Sequence, residues 1–502
     1  MIIKFALLVL LINIPGSASA VEIDQAINDF LTPVANAVDG FFMTAVHIPF
    51  VGPAPFIVLW LVVAACFFTL YFKFINLRSF AVSLKIIKGK YDTTGAAGEV
   101  THFQALSTAV SGTVGLGNIA GVATAVSMGG PGATFWMIVA GLLGMSTKFV
   151  ECTLGVKYRD IHPDGTVAGG PMKYLSKGFA EKGMPGIGKT LAILFAILCV
   201  GAALGGGNMF QANQSFSQLQ NITGGANGML AGKGWLFGLV LALITGLTIL
   251  GGIKSIAKVT SKLVPIMGVI YVITGLVVIA MNGDQLIDAF SQIVNGAFNP
   301  SAIAGGVLGV MIVGFQRAAF SNEAGVGSAA IAHAAVKTDR PITEGLVSLY
   351  EPFIDTVVVC TITALVIVIT GSLGSSEGLQ GIPLTSNAFA SAVSWFPYVL
   401  TVAAILFAFS TMISWSYYGV RAWTYLFGEN KTQEHVFKVI FLVFIVIGST
   451  LDLSAVIGFS FAMTLAMSFP NIIGLYFLAP VVKQELNAFM ADIKSGAIVF
   501  SK

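Results

Sequence analysis

Charge is scarce in this chain. Asp, Glu, Lys and Arg make up 10% of its 502 residues, against about 25% in soluble domains. The hydrophobic share is 56% and the mean hydropathy is +0.88, values of a polytopic membrane protein rather than a soluble one. Cysteine is limited to Cys66, Cys152, Cys199 and Cys360, all within apolar runs, which excludes a disulfide framework and a paired-cysteine metal site and makes them small core residues. The histidines, His47, His102, His162, His333 and His435, are scattered without an HExxH arrangement, so a metal enzyme is unsupported. No organic cofactor is expected. The net charge of +3 does not point to nucleic acid; in a membrane protein the position of each charge outweighs the sum.

Long apolar runs are abundant instead. Stretches of roughly 20 apolar residues or more occur near 54–73, 103–126, 133–156, 190–215, 235–252, 263–281, 302–333, 346–371, 394–420, 437–452 and 454–482. They predict an all-α protein with about eleven transmembrane helices. Ahead of them, Lys4, the apolar run Phe5 to Ile14 and Ser17-Ala18-Ser19-Ala20 have the form of a signal peptide over 1–20, followed by an external amphipathic segment over 21–53. The alternative for 1–20 is an uncleaved extra helix.

The basic residues orient the spans. Connections on one side carry Lys73, Arg78, Lys85, Lys88 and Lys90, then Lys157, Arg159, Lys173, Lys177, Lys182 and Lys189, then Lys254, Lys258 and Lys262, then Lys337, Arg340, Arg421 and Lys431. The connections between spans on the other side contain Lys233 alone. The positive-inside rule then predicts an external N-terminus and a cytoplasmic C-terminus; the expected location is the inner membrane.

Two spans are interrupted. In the second, Ser111-Gly112-Thr113-Val114-Gly115-Leu116-Gly117-Asn118-Ile119-Ala120-Gly121 places glycines and polar side chains at membrane depth. Lipid tolerates such backbone only where protein or a polar cavity satisfies it. The second interruption, Gln316-Arg317-Ala318-Ala319-Phe320-Ser321-Asn322-Glu323-Ala324-Gly325-Val326-Gly327-Ser328, lies five spans later in a helix of opposite direction. Paired breaks in matching positions point to a secondary transporter built from inverted repeats. The expected organisation is a first helix and basic loop over 54–99, one five-helix repeat over 100–300, its inverted copy over 301–482, and a cytoplasmic tail over 483–502.

Candidate ligands follow from the breaks. N–H groups of Leu116 and Gly117 at a half-helix start suit a carboxylate. Carbonyls of Ser111, Thr113 and Val114 with the Asn118 side chain suit an alkali cation, whereas a small-residue packing face accounts only for the glycines. In the fourth span Asn208 and Gln211 share a helical face and can bind a zwitterion, while Asn213 and Gln214 read as an outer cap. In the ninth, Thr411, Ser414 and Trp415 share a face, with interhelical packing as the alternative. Among the charges at membrane depth, Lys148 and Glu151 read as a gate or structural ion pair. Glu323 handles an ion or pairs with Arg317, and Asp355 lies in the eighth span.

The runs Gly115-Leu116-Gly117-Asn118-Ile119-Ala120-Gly121, Gly129-Gly130-Pro131-Gly132, Ala168-Gly169-Gly170-Pro171-Met172, Gly207-Asn208-Met209, Ser321-Asn322-Glu323-Ala324-Gly325 and Trp415-Ser416-Tyr417-Tyr418-Gly419 closely resemble the alanine or glycine:cation symporter family. The resemblance implies a LeuT-type fold of inverted five-helix repeats and sodium-coupled uptake of a small neutral amino acid, alanine and/or glycine. It further implies a carboxylate on the Leu116 and Gly117 amides, Gln211 at the substrate's polar end, and Thr411 and Trp415 facing the substrate. Sodium would be held by the Ser111 and Val114 carbonyls with the Ser410 and Thr411 hydroxyls. Proton coupling through Glu323 or Asp355, or an amino-acid-gated channel, are the competing expectations.

Overall fold

The computed structural model describes residues 44–48, 52–91, 95–299, 306–375, 379, 381–451 and 453–498, with isolated positions between 29 and 42. The signal peptide expected over 1–20 lies outside the described residues, as does most of the segment 21–53. A short hairpin, β1 (Ala45–Ile48) paired antiparallel with β2 (Gly52–Pro55), leads into α1 (Phe56–Tyr71).

The first broken helix starts at α2 (His102–Thr113), which opens with a capping box in which Thr101 and Gln104 satisfy each other's backbone amides. It continues through a π-turn (Gly117–Gly121) into α3 (Val122–Gly129), bent by 49° at the break. Next come α4 (Ala133–Lys157), and α5 (Pro185–Leu204) joined by a second π-turn (Gly205–Met209) to α6 (Phe210–Ile222). The half closes with α7 (Gly234–Ile249) and α8 (Gly252–Met281).

The second broken helix, α9 (Gly306–Asn322), stops at a turn and resumes as the short helix Ala329–His333. A third π-turn (Phe353–Cys360) precedes α10 (Thr361–Ile369). Then follow α11 (Phe396–Phe427), α12 (Lys431–Gly448), α13 (Leu453–Ala466) and α14 (Ser468–Ser495).

Among the described residues, six continuous helical stretches are long and apolar enough to cross a membrane, and the bent pair α2–α3 makes a seventh. Each expected apolar run overlaps a helix. However, α1 and α7 are shorter than a full crossing, at 16 residues each; at 1.5 Å per residue that is about 24 Å against roughly 30 Å of hydrocarbon.

Packing explains why the breaks meet. Helix α11 lies against α2, α5, α6, α8 and the second π-turn, and α4 lies against α9 and the third π-turn. The three π-turns each insert one extra residue per turn and so redirect side chains locally, a device common at functional sites. Gly117, Gly206 and Asp355, one in each of these turns, are all buried.

Candidate functional site

At the first break the backbone leaves the helix at Val114, whose ψ of 86° carries the chain out of the α region. The freed amides are not abandoned. Gly115 N–H donates to Asn118 Oδ1 at 2.8 Å, and Leu116 N–H donates to Gln211 Oε1 at 3.0 Å. Gln211 Nε2 in turn donates to the Gly206 carbonyl at 2.9 Å, tying the break to the second π-turn. Two side-chain amides thus replace the helical partners that an apolar surrounding could not offer.

Gly115 is there for clearance. A Cβ at this position would lie 2.5 Å from Thr411 Oγ1 and 3.0 Å from Gln211 Oε1. Gly207 plays the same part for α11, since a Cβ there would lie 2.2 Å from Cγ of Trp415. Both glycines let a backbone touch a side chain of α11 directly, and motif reading alone had not separated them from their neighbours.

A cavity of roughly 20 Å³ lies between the breaks, enclosed by Gly117 and Thr113 of the first, Glu323 and Phe320 of the second, and Gln211, Thr411 and Trp415. That volume holds about one water-sized group, too little for an amino acid without some rearrangement of the walls. Trp415 Nε1 spans the two breaks, donating to the Gly112 carbonyl at 3.2 Å and to Glu323 Oε1 at 3.0 Å. Ser328 Oγ donates to the other carboxylate oxygen of Glu323. Phe320, which lines the cavity, stacks on Phe461 with ring centroids 3.9 Å apart.

The residues expected to hold a cation come together in part. Ser111 Oγ donates to the Ser410 carbonyl at 2.6 Å, and Thr411 Oγ1 donates to the Ser111 carbonyl at 3.0 Å, with Val114 one turn away at the end of α2. Ser410 Oγ is turned onto the Phe407 carbonyl at 3.0 Å. Asn118 belongs to a different cluster. Its Nδ2 donates to Asp355 Oδ2 at 2.7 Å, while Ser321 and Thr356 hydroxyls donate to Asp355 Oδ1 at 3.0 and 2.7 Å. One carboxylate therefore gathers the first break, the second break and the third π-turn.

Several expectations are corrected. The Leu116 amide is occupied by Gln211, so of the two amides expected to face a carboxylate, Gly117 belongs to the residue that lines the cavity. Asn208 points away, donating to the Phe441 carbonyl of α12 at 2.7 Å, because one residue of π-turn shifts it off the face of Gln211. Ser414 Oγ donates to the Thr108 carbonyl at 2.9 Å, so packing wins there. Asn213 and Gln214 are buried and bond the Leu451 carbonyl and the Ile382 amide rather than capping a helix in the interface.

Both ion-pair expectations also fail. Lys148 Nζ donates to Glu351 Oε1 at 2.9 Å, and Glu151 accepts from Asn471 Nδ2 at 2.8 Å. A carboxylate on another helix reaches the ammonium directly. Arg317 lies over the Phe461 ring at 4.3 Å and beside the Met128 sulfur at 3.4 Å. Arg317 lies within α9, whereas Glu323 follows the helix end with a left-handed φ of 56° and gives its oxygens to Trp415 and Ser328, so the two side chains have separate partners. Glu351 continues through His333 to Glu344 and His102, a buried network that ties the segment after the second break to the start of α2. Among the described residues no group of three His, Cys, Asp or Glu could hold a metal ion.

Residues 40–501 match the sodium:alanine symporter family. The chain belongs to this family. It is 41% identical over 446 residues to the sodium/alanine symporter AgcS of Methanococcus maripaludis, covering 88% of this chain and 96% of that protein. It is 32% identical over 432 residues to the probable sodium/glutamine symporter GlnT of Bacillus subtilis, covering 86% and 87%. Among solved structures it resembles MhsT in complex with L-phenylalanine, with a TM-score of 0.55 and 16% identity over 79% of this chain and 99% of that one. The fold is thus the LeuT type, with inverted five-helix repeats and two broken helices, and the chain is a multi-pass membrane amino-acid symporter of this family rather than an enzyme.

Proposed function

We propose that the chain couples sodium entry to uptake of a small neutral amino acid, alanine and/or glycine, across the inner membrane by alternating access, with the N-terminus outside and the C-terminus in the cytoplasm. The observation that carries this reading is the small cavity shared by the two breaks, with a buried carboxylate on one wall and backbone on the other. An amino-acid carboxylate meets the Gly117 backbone, and Gln211 moves from the Leu116 amide to share it. The ammonium meets Glu323, which already accepts hydrogen bonds from Trp415 and Ser328. Two large rings, Trp415 and Phe320, wall the cavity, which favours a small side chain such as alanine's over the larger substrate in the name of GlnT. Lys148, Glu151 and Arg317 act in gating or support, outside the cavity.

Sodium takes the oxygen cluster where α2 meets α11, replacing the hydroxyl clasp of Ser111, Ser410 and Thr411. Such an ion stabilises one arrangement of the breaks only through its differential affinity for that arrangement. Each sodium adds ~2.3 kcal/mol per 100 mV of membrane potential, enough for substantial accumulation. A second reading, proton coupling, is favoured by the buried carboxylates of Glu323 and Asp355. Labelled-alanine uptake into proteoliposomes under imposed sodium or proton gradients separates the two. Uptake that needs inward sodium and survives collapse of the pH gradient supports sodium symport; uptake unaffected by sodium removal sinks it. A panel of unlabelled competitors then ranks alanine, glycine, serine and glutamine.

A further inference from the structure

The ends of α1 and α14 enclose a second pocket, of roughly 470 Å³, far from the breaks. Its lining contains Lys73, Arg78, Lys483 and Lys494, with Tyr71 and Asn487, and no Asp or Glu. The acids of the same terminal helix are engaged elsewhere: Glu485 with Lys157 at 2.7 Å and Asp492 with Arg340 at 2.8 Å. Lys483 lies 4.2 Å from the centroid of the Tyr71 ring, which holds its ammonium at the pocket wall. Positive charge is therefore concentrated in a concave site without a protein counter-charge.

The backbone at the mouth is shaped for this. Lys73 and Phe74 both adopt left-handed conformations, with φ of 54° and 55°, although neither is glycine. Such residues cost of order 1 kcal/mol each and persist where the surroundings impose them. The turn places Lys73 at the pocket and continues into a short helical turn, Ile75–Arg78. Beside it Leu70, Phe74 and Leu77 are 64%, 47% and 65% exposed. An apolar rim against a cationic hollow, at the end of a membrane helix, matches a molecule with an anionic head and hydrocarbon tails.

We propose that this pocket binds an anionic phospholipid, its phosphodiester held by Lys73, Arg78, Lys483 and Lys494 and its acyl chains lying along Leu70, Phe74 and Leu77. A free phosphate ion would use the cations but gain nothing from the rim, so lipid is the occupant the surface fits. The volume falls within the range of about 300–1,000 Å³ usual for small-molecule sites.

Native mass spectrometry of the full-length protein in non-ionic detergent, titrated with phosphatidylglycerol or phosphatidylcholine, tests this. Phosphatidylglycerol should be retained preferentially. Each cation removed, as in Lys73→Gln or Lys483→Gln, should weaken it about fivefold, from roughly 1 kcal/mol per basic side chain near an anionic surface. The exposed Lys258→Gln and Lys262→Gln, outside the pocket, should leave retention unchanged. Arg78→Gln, at an exposed position, supplies the same readout if either of these variants does not fold. Equal retention of phosphatidylcholine, unaltered phosphatidylglycerol binding in the pocket variants, or displacement of the lipid by excess inorganic phosphate would each overturn the proposal.

Discussion

The two breaks solve one problem in different ways. At the first, none of Gly112, Gly115, Gly117 and Gly121 has a positive φ; the chain unwinds with ordinary dihedral angles, and Gly115 provides space for Thr411 and Gln211. At the second, Glu323, Gly325 and Gly327 have φ of 56°, 90° and 91°, so the backbone itself turns through the left-handed region. Glycine supplies clearance in one and direction in the other. The difference shows in the polar partners too. Neutral amides satisfy the backbone of both, Asn118 and Gln211 at the first and Asn322 and Asn471 at the second, but the second also places a carboxylate, Glu323, on the cavity. A zwitterion brings both signs of charge, and the two walls answer one each.

Substitutions can break this comparison. The largest effect is expected from Gly115→Ala, whose Cβ would meet Thr411 Oγ1 at 2.5 Å. Overpacking of up to about 3 kcal/mol should reduce alanine affinity by about two orders of magnitude, measured by equilibrium binding. Gly121→Ala, where no atom lies within 4 Å, should be silent. Gly327→Ala tests the other mode. Its Cβ meets Asn471 and Pro171 at 2.8 Å and its φ is unfavourable, so it should lower the melting temperature by a few degrees, from a cost of roughly 1–3 kcal/mol. Loss of substrate affinity with unchanged melting would assign Gly327 to clearance instead.

Trp415→Ala should sharpen the account of selectivity. Removing the indole enlarges the cavity and frees one oxygen of Glu323, so leucine or glutamine should now compete with alanine in uptake assays. The smallest effect is expected from Arg317→Leu. The guanidinium over Phe461 contributes about 0.5–2 kcal/mol and does not reach the cavity carboxylate, so the Michaelis constant for alanine should stay within severalfold of the unaltered protein.

Much of this was legible in the sequence because it is local. The broken spans were visible as glycines and polar groups inside apolar runs, and Gly117, Gln211, Thr411 and Trp415 do line one cavity. What the sequence could not supply was the partner of each polar group. Lys148 has Glu151 one helical turn away and chooses Glu351 from another helix. Asn208 and Gln211 share a face only if the helix is regular, and the π-turn at Gly205–Met209 shifts their register. Asp355 is visible as a charge at depth, but beyond its neighbour Thr356 its donors, Asn118 and Ser321, come from separate elements and reach it only in the folded protein.

The measurement closest to the central claim is scintillation-proximity binding of labelled alanine to the purified protein, titrated with sodium in a potassium background. The account predicts saturable binding that requires sodium, competes with glycine, and is lost in Gly115→Ala but kept in Gly121→Ala. Alanine binding of equal strength in potassium alone, or undiminished binding by the Gly115→Ala protein, would contradict it.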